Sequence, residues 1–148
     1  MKIYVLILSE VFPKTHVRAG ELTGFRNNLR KTKIHTIRTN IELWRKRFQK
    51  IECGEAELSI RQWVGKPYGK GSTQKELCRL TREDGIGIQK MTIEGCTTHH
   101  QIFIDGIPVS SKELANNDGL DEADWHSWFR GYDVTEPMAV IHFTKFRY

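Results

Sequence analysis

The clearest periodicity in the chain lies between residues 41 and 51. Apolar residues recur there at steps of three and four, namely at Ile41, Trp44, Phe48 and Ile51. This spacing predicts a helix with one apolar face, and Asn40 and Gly54 are suited to cap its two ends. The outer surface of this helix is basic and carries Arg45, Lys46, Arg47 and Lys50.

Alternation and apolar runs predict the strands. The segment 55–63 alternates well and predicts a half-buried strand. The segment 1–9 is apolar on both faces, which predicts a central strand buried on both sides. Two hairpins are predicted by Asp-Gly turn signals, one joining 74–82 to 86–93 and one within 101–110. A last strand is predicted at 138–146.

Two further helices and two loops complete the predicted elements. A short helix is predicted at 21–31, with Leu22, Phe25 and Leu29 on one side. Another opens at Asp121 and buries Trp125, Trp128 and Phe129. The segments 13–20 and 65–72 predict loops, the second because its glycines and proline interrupt both helix and strand.

The segment Lys33-Ile34-His35-Thr36-Ile37-Arg38 does not fit the pattern of a plain half-buried strand. Polar residues fall on both of its faces, and basic residues flank it on either side. Polar groups crowded onto a short extended segment in a positive field favour a ligand site. An edge strand whose charges are solvated explains the pattern equally well.

Composition limits the fold class. With 148 residues, 39% of them hydrophobic and 28% charged, the chain predicts a single globular domain spanning 1–148. Strands and helices that do not alternate regularly predict an α+β fold, built on a curved sheet or small barrel with about three flanking helices.

The charge is unevenly distributed along the chain. The net charge of +5 and a pI near 9.2 allow a nucleic acid or another polyanion as partner without requiring one. The segment 26–50 is strongly basic, whereas 113–136 is acidic. Separate basic and acidic surfaces are one expectation, and mutual neutralisation of two adjacent segments is another.

The cysteines and short sequence motifs limit which ligands and reactions the sequence predicts. Cys53, Cys78 and Cys96 are widely spaced, which predicts free, buried, reduced thiols in a cytoplasmic protein. Cys96-x-x-His99-His100 is only a weak zinc pattern, so no metal and no cofactor are predicted. The apolar run at 3–8 is too short for a membrane span. The spacings of a phosphate-binding loop and of a serine-hydrolase turn do not occur.

One family resemblance rests on specific residues. Lys33-x-x-Thr36-x-Arg38, a later strand led by Gly54 and the closing Ile141-His142-Phe143 together resemble the ASCH domain, a branch of the PUA-like superfold. The resemblance implies a small mixed β-barrel with flanking helices and a cleft for RNA or nucleotide-like ligands. One branch of that family removes the acyl group from N4-acetylcytidine, which implies catalytic roles for Lys33, Thr36 and an acid that falls here on Asp118. The enzyme branch uses Glu at that place, and Asp is one methylene shorter.

The physical chemistry of these residues agrees with such a site. Neighbouring Arg38 and His35, together with partial burial, would lower the pKa of Lys33, so that it acts as a base for a Thr36 nucleophile. Residues three apart on an ideal strand face opposite ways, so Lys33 must precede the strand or occupy a bulge. A second group suits phosphate contacts and base stacking and comprises Arg38, Lys66, Tyr68 and Trp63.

Three functions are consistent with these features. The first is binding of RNA or a modified nucleoside in a cleft around Lys33, Thr36, Arg38 and Asp118. The second is hydrolysis of an acyl amide on a pyrimidine nucleoside, which requires Lys33 and Asp118 to converge. The third is a protein-interaction domain that holds an acidic protein partner on the basic helix. No membrane partner is predicted, and the oligomeric state is left open.

Overall fold

The computed structural model describes residues 1–96 and 99–148. The Cys96-x-x-His99-His100 zinc pattern therefore lies partly outside the described residues. The strands are β1 Lys2–Ile7, β2 His35–Arg38, β3 Ala56–Val64, β4 Thr73–Leu80, β5 Gly87–Cys96, β6 His99–Ile104, β7 Ile107–Val109 and β8 Met138–His142. The helices are α1 Phe25–Asn28, α2 Ile41–Glu52, α3 Ser111–Asn117 and α4 Glu122–Phe129, with a 3₁₀ helix at Arg82–Asp84.

The strands form two sheets. In the first, with order β1-β3-β4, β1 runs parallel to β3 and β4 runs antiparallel to it. The second sheet has the order β2-β8-β5-β6-β7, and all its pairs are antiparallel. The predicted α+β class is confirmed. Within the described part of the chain the two sheets are hydrogen-bonded separately and do not close into one barrel.

Several elements match the sequence pattern closely. Helix α2 buries its four predicted apolar residues, and the Asn40 side chain accepts a hydrogen bond from the Leu43 amide. In β3, Ala56, Leu58 and Ile60 are buried as the alternation predicts, although Ser59 on the other face is buried as well. Strands β6 and β7 form the predicted hairpin, and positive φ angles of 48° at Asp105 and 81° at Gly106 make its tight turn.

Two strand predictions were wrong in their packing. Strand β1 is an edge strand, not a central one, and Leu6 is its only buried residue. Strands β4 and β5 exist but do not pair, because β4 belongs to the first sheet and β5 to the second. Between them, Thr81 and Asp84 form a reciprocal capping box on the 3₁₀ helix, which directs the chain from one sheet to the other.

The helix predictions were partly wrong. Helix α1 is a single turn, since Gly24 before it has a left-handed conformation with φ of 76°, and Leu22 is 70% exposed. Helix α3 was not predicted, although Ser110 caps it by accepting from the Glu113 amide. Among the described residues, no helix has the length and apolar composition that crossing a membrane requires.

The position of β2 is the feature of the fold that matters most for the site. Strand β2 lies at the edge of the second sheet, beside β8, and its first three residues are buried. Lys33 lies just before the strand and pairs with Asp118 through an isolated antiparallel bridge. The end of α3 is thereby held against the start of β2, and the amide of Ile34 donates to the carbonyl of Asn117 at 2.8 Å.

Candidate functional site

A buried lysine–carboxylate pair forms the centre of the site. The Lys33 ammonium nitrogen Nζ donates to Oδ1 and to the backbone carbonyl of Asp118, both at 2.9 Å. Lys33 is 1% exposed and Asp118 is 4% exposed. Gly119 makes this approach possible, since a Cβ added there would lie 2.9 Å from the Cβ of Lys33. Its φ of 75° also favours glycine.

Thr36 and Arg38 line the same pocket as this pair. Nη1 of Arg38 donates to the hydroxyl oxygen of Thr36 at 2.8 Å, and Nη2 donates to the carbonyl of Ile7 at 2.6 Å. Lys33 can share a pocket with Thr36 because it precedes β2, which starts at His35. The geometric requirement inferred from the sequence is thus met.

Aromatic side chains also line the pocket. The Lys33 nitrogen lies 3.9 Å from the centroid of the Phe25 ring, a cation–π contact. Trp128 packs against Phe25 with ring centroids 5.7 Å apart, and Phe129 also lines the pocket. The pocket measures about 310 Å³ when the space at its open mouth is included. The enclosed part of this volume is about large enough for one water molecule. A planar base therefore enters only if side chains such as Trp128 move.

Burial changes the ionisation of all three charged groups. It lowers the pKa of Lys33, although the Asp118 carboxylate partly opposes this shift. Burial would raise the pKa of Asp118, but the attraction of Lys33 and contacts with His35 outweigh it, so the pKa falls below its ordinary value. Burial also lowers the pKa of Arg38. Asp118 is consequently held as a carboxylate, while Lys33 gives up its proton more readily than an exposed lysine.

A buried polar network lies behind the carboxylate. Nδ1 of His35 is 3.6 Å from Oδ1 of Asp118, and its Nε2 is 2.7 Å from the Tyr148 hydroxyl. The Asn117 side-chain amide donates to the same hydroxyl at 3.0 Å. The hydroxyl is satisfied when it donates to Nε2 and accepts from Asn117, which leaves the ring proton on Nδ1. Nδ1 faces Asp118 but has no hydrogen-bond partner among the described residues. Gln89 holds the backbone of Tyr148, accepting from its amide at 2.9 Å.

We expect Tyr148→Phe to lower the free energy of unfolding by about 1–3 kcal/mol, because it leaves Nε2 of the buried His35 and the amide of the half-buried Asn117 without their partner. Urea unfolding measures the change. Tyr68→Phe is the matched control, since the Tyr68 side chain is 87% exposed and loss of its hydroxyl should have almost no effect. Equal stabilities of the two variants would contradict the network.

Part of the predicted ligand group lies elsewhere. Trp63, Lys66 and Tyr68 do not line the pocket. Lys66 and Tyr68 are exposed on the loop after β3, and the Tyr68 ring lies 4.8 Å from that of the half-buried Trp63. The structure thus brings only Arg38 of this second group to Lys33, Thr36 and Asp118.

The basic surface of α2 is partly neutralised by its own neighbours. Arg45 pairs with Glu42 at 2.5 Å and Lys50 pairs with Glu55 at 2.8 Å. The Arg47 guanidinium lies 4.6 Å from the Trp44 ring centroid, whereas Lys46 is exposed. The charge available to an acidic partner is therefore smaller than the sequence indicates.

The exposure of the cysteines and the spacing of possible metal ligands bear on two further predictions. Cys53 is exposed and Cys78 is half-buried, so the prediction of buried thiols was wrong for Cys53. In the part of the chain that the structure describes, no three His, Cys, Asp or Glu side chains are grouped to hold a metal ion.

Sequence reasoning missed the aromatic side of the pocket and the Tyr148 network. Phe25 and Trp128 were predicted as core residues, and no sequence signal relates them to Lys33, because their proximity arises from the tertiary fold. No family model, curated protein or solved structure matches this chain.

Proposed function

We propose that the pocket binds the base of a modified pyrimidine nucleoside and hydrolyses an acyl amide on its exocyclic amino group. This is the activity implied by the resemblance to the ASCH branch of the PUA-like superfold. The observation that carries the proposal is the buried Lys33–Asp118 pair in one pocket with the Thr36 hydroxyl. The hydrolysis hypothesis required Lys33 and Asp118 to converge, although they are 85 positions apart in the chain.

The energetic cost of the pair supports a functional role. Transferring two charges from water into a protein interior costs several kcal/mol per ion, and apolar replacements of similar size are often as stable. Both members of this pair are nearly inaccessible to solvent. Groups with perturbed pKa values that line a pocket are typical of catalytic sites, so catalysis accounts for the pair better than stability does.

The proposed reaction gives each residue one task. The Thr36 oxygen attacks the acyl carbonyl carbon, and its proton passes to the unprotonated Lys33 amine. Cleavage of the C–N bond leaves an acyl ester on Thr36, and the Lys33 ammonium returns the proton to the departing amino nitrogen. Water then hydrolyses the ester and releases a carboxylic acid. Asp118, held as a carboxylate, stabilises the Lys33 ammonium, so the proton donor here is Lys33.

Arg38 and the aromatic side chains suit the rest of such a substrate. In the described residues, the Arg38 guanidinium bonds to three neutral oxygens, those of Thr36, Ile37 and Ile7. Its charge is therefore available to a carbonyl oxygen that becomes negative during attack. Trp128 lines the pocket and offers an aromatic surface on which a base can stack once this side chain has moved to admit it.

A single-turnover assay of the purified protein on N4-acetylcytidine and related acylated nucleosides tests the proposal. The wild type should release cytidine, while Lys33→Ala and Asp118→Ala should not, with folding checked by circular dichroism. Absence of turnover by the wild type across the panel would reject the enzyme.

The pH dependence distinguishes the roles of Lys33 and Asp118. Only the unprotonated Lys33 is the base, so activity should rise with pH through the pKa of this lysine. In Asp118→Asn the carboxylate that raises this pKa is absent. We therefore expect a lower maximal rate and an acid limb of the kcat/KM profile displaced to lower pH. An acid limb that does not move would contradict Lys33 as the base, and loss of an alkaline limb would identify Asp118 as the proton donor.

Nucleic-acid binding without chemistry is the second candidate. It is favoured by the loop at 65–72, where Tyr68 is 87% exposed and Lys66 and Lys70 are also exposed. An exposed aromatic between lysines suits base stacking beside phosphate contacts. Binding of a short single-stranded RNA that weakens steeply with salt would support this candidate, and loss of that binding in Tyr68→Ala would locate it on the loop.

A further inference from the structure

A second, larger cavity adjoins the candidate site. It lies between α4 and strands β5 and β6 and measures about 830 Å³ with its open mouth. Phe129 lines both this cavity and the pocket that contains Lys33. The two spaces are therefore neighbours across one aromatic side chain.

The second cavity is basic and aromatic. Its polar lining comprises His100, His126, Arg130 and Tyr132, and its remaining lining side chains are apolar or aromatic. No carboxylate lines it among the described residues. Arg130 is exposed and takes part in none of the ion pairs formed within the described part of the chain. A guanidinium without an acidic partner, beside two imidazoles, is suited to an anion.

Trp125 provides an independent sign of an unsatisfied site. It lines the same cavity and is 2% exposed, yet no described group accepts a hydrogen bond from its indole nitrogen. Buried donors are satisfied in most structures. The nitrogen itself is buried, so a ligand oxygen in this cavity satisfies the donor only after neighbouring side chains shift.

We propose that this second cavity holds the phosphate of a nucleotide whose base occupies the Lys33 pocket, with Arg130 as the main contact. The inference rests on the proposed function for the identity of the base, and it makes a phosphorylated nucleoside the preferred substrate class. That phosphate comes either from a free mononucleotide or from one unit of an oligonucleotide.

The division of charge between the two spaces supports this assignment. In the Lys33 pocket the lysine is paired with Asp118, and the proposed reaction assigns the charge of Arg38 to the carbonyl oxygen under attack. A phosphate placed there would lie close to the Asp118 carboxylate, which is unfavourable. Phosphate and base are joined through a single ribose, so the phosphate must lie in an adjoining space. The second cavity is that space and offers the Arg130 guanidinium, which forms no ion pair within the described residues.

Binding measurements on non-hydrolysable probes test the inference without relying on turnover. Isothermal titration calorimetry compares cytidine with cytidine 5′-monophosphate, cytidine 3′-monophosphate and a cytidine trinucleotide. We expect at least one phosphorylated probe to bind the wild type about 10-fold or more tightly than cytidine, because charge-assisted hydrogen bonds contribute strongly to binding. Arg130→Gln should remove this advantage and leave the affinity for cytidine unchanged.

Lys112→Gln is the matched control, because Lys112 is exposed on α3 and lines neither space. It removes the same charge and should preserve the preference for phosphate. Equal affinities for cytidine and all phosphorylated probes would overturn the inference, as would equal losses in Arg130→Gln and Lys112→Gln. A trinucleotide that binds where both mononucleotides fail would identify an oligonucleotide as the source. Phosphate-dependent binding without deacylation would reject the proposed enzyme while supporting the second cavity.

Discussion

Asp118→Ala should lower the free energy of unfolding by about 3–5 kcal/mol, because it leaves the buried Lys33 ammonium without its carboxylate. The loss arises mainly from the charge that remains, since the side chain of Lys33 is 2% exposed and cannot readily reach water. Urea unfolding with a measured m-value gives the change. Glu55→Ala is the control, because it breaks the Lys50–Glu55 pair at a similar 2.8 Å but with both side chains 57% exposed. That change should cost less than about 1 kcal/mol.

The double variant Lys33→Met/Asp118→Ala separates stability from function. It removes both buried charges, so it should be more stable than Asp118→Ala alone. Recovery of stability together with complete loss of deacylation would indicate that the pair is retained for chemistry. If the double variant is as unstable as the single one, the packing around these residues, and not the unpaired charge, determines the loss.

Local sequence patterns correctly predicted the elements whose buried residues follow from the spacing of apolar residues or from local backbone angles. The apolar face of α2 follows from spacing alone, because Ile41, Trp44, Phe48 and Ile51 meet the core in any fold that uses this helix. The Asp105-Gly106 turn similarly depends only on local backbone angles. Such features need no knowledge of distant partners.

Predictions that depended on which strands pair with each other were wrong, and one helix was not predicted. The residues of β1 are apolar on both faces, but nothing in the sequence shows that this strand pairs on one side only. The Glu83-Asp84-Gly85 sequence predicted a hairpin turn, whereas the structure has a 3₁₀ helix there, capped by Thr81 and Asp84, and the two strands belong to different sheets. A search for Ser110 as an N-cap would have found α3, since its hydroxyl accepts from the Glu113 amide.

The polar residues at the centre of the candidate site could be predicted from the sequence, whereas the side chains around them could not. Lys33, Thr36 and Arg38 stood out because polar groups crowded a short segment, and Asp118 followed from the family resemblance. The Phe25 and Trp128 rings, the Tyr148 hydroxyl and the second cavity could not be predicted, because they depend on contacts across the fold. The inferred phosphate contact at Arg130 lies in a segment whose overall charge is acidic, so the charge pattern of the sequence predicts no anion site there.

Thr36→Val should reduce the single-turnover rate of deacylation by about 1,000-fold or more, because it removes the proposed nucleophile while keeping a similar shape. Valine also suits a strand. The Arg38 donor loses its acceptor on Thr36, so a stability loss of about 1–3 kcal/mol is expected as well. Affinity for unmodified cytidine should change little, since the proposed contact between Trp128 and the base does not involve Thr36.

Thr36→Ser is the informative companion because it restores an oxygen at the same position. We expect its rate to stay within about 10-fold of the wild type, and mass spectrometry of a rapidly quenched reaction should detect an acyl group on residue 36 in active variants only. Substantial turnover by Thr36→Val would show that water attacks the amide directly. The Lys33–Asp118 pair would then activate that water, and Thr36 would serve to orient Arg38 through the 2.8 Å contact between them.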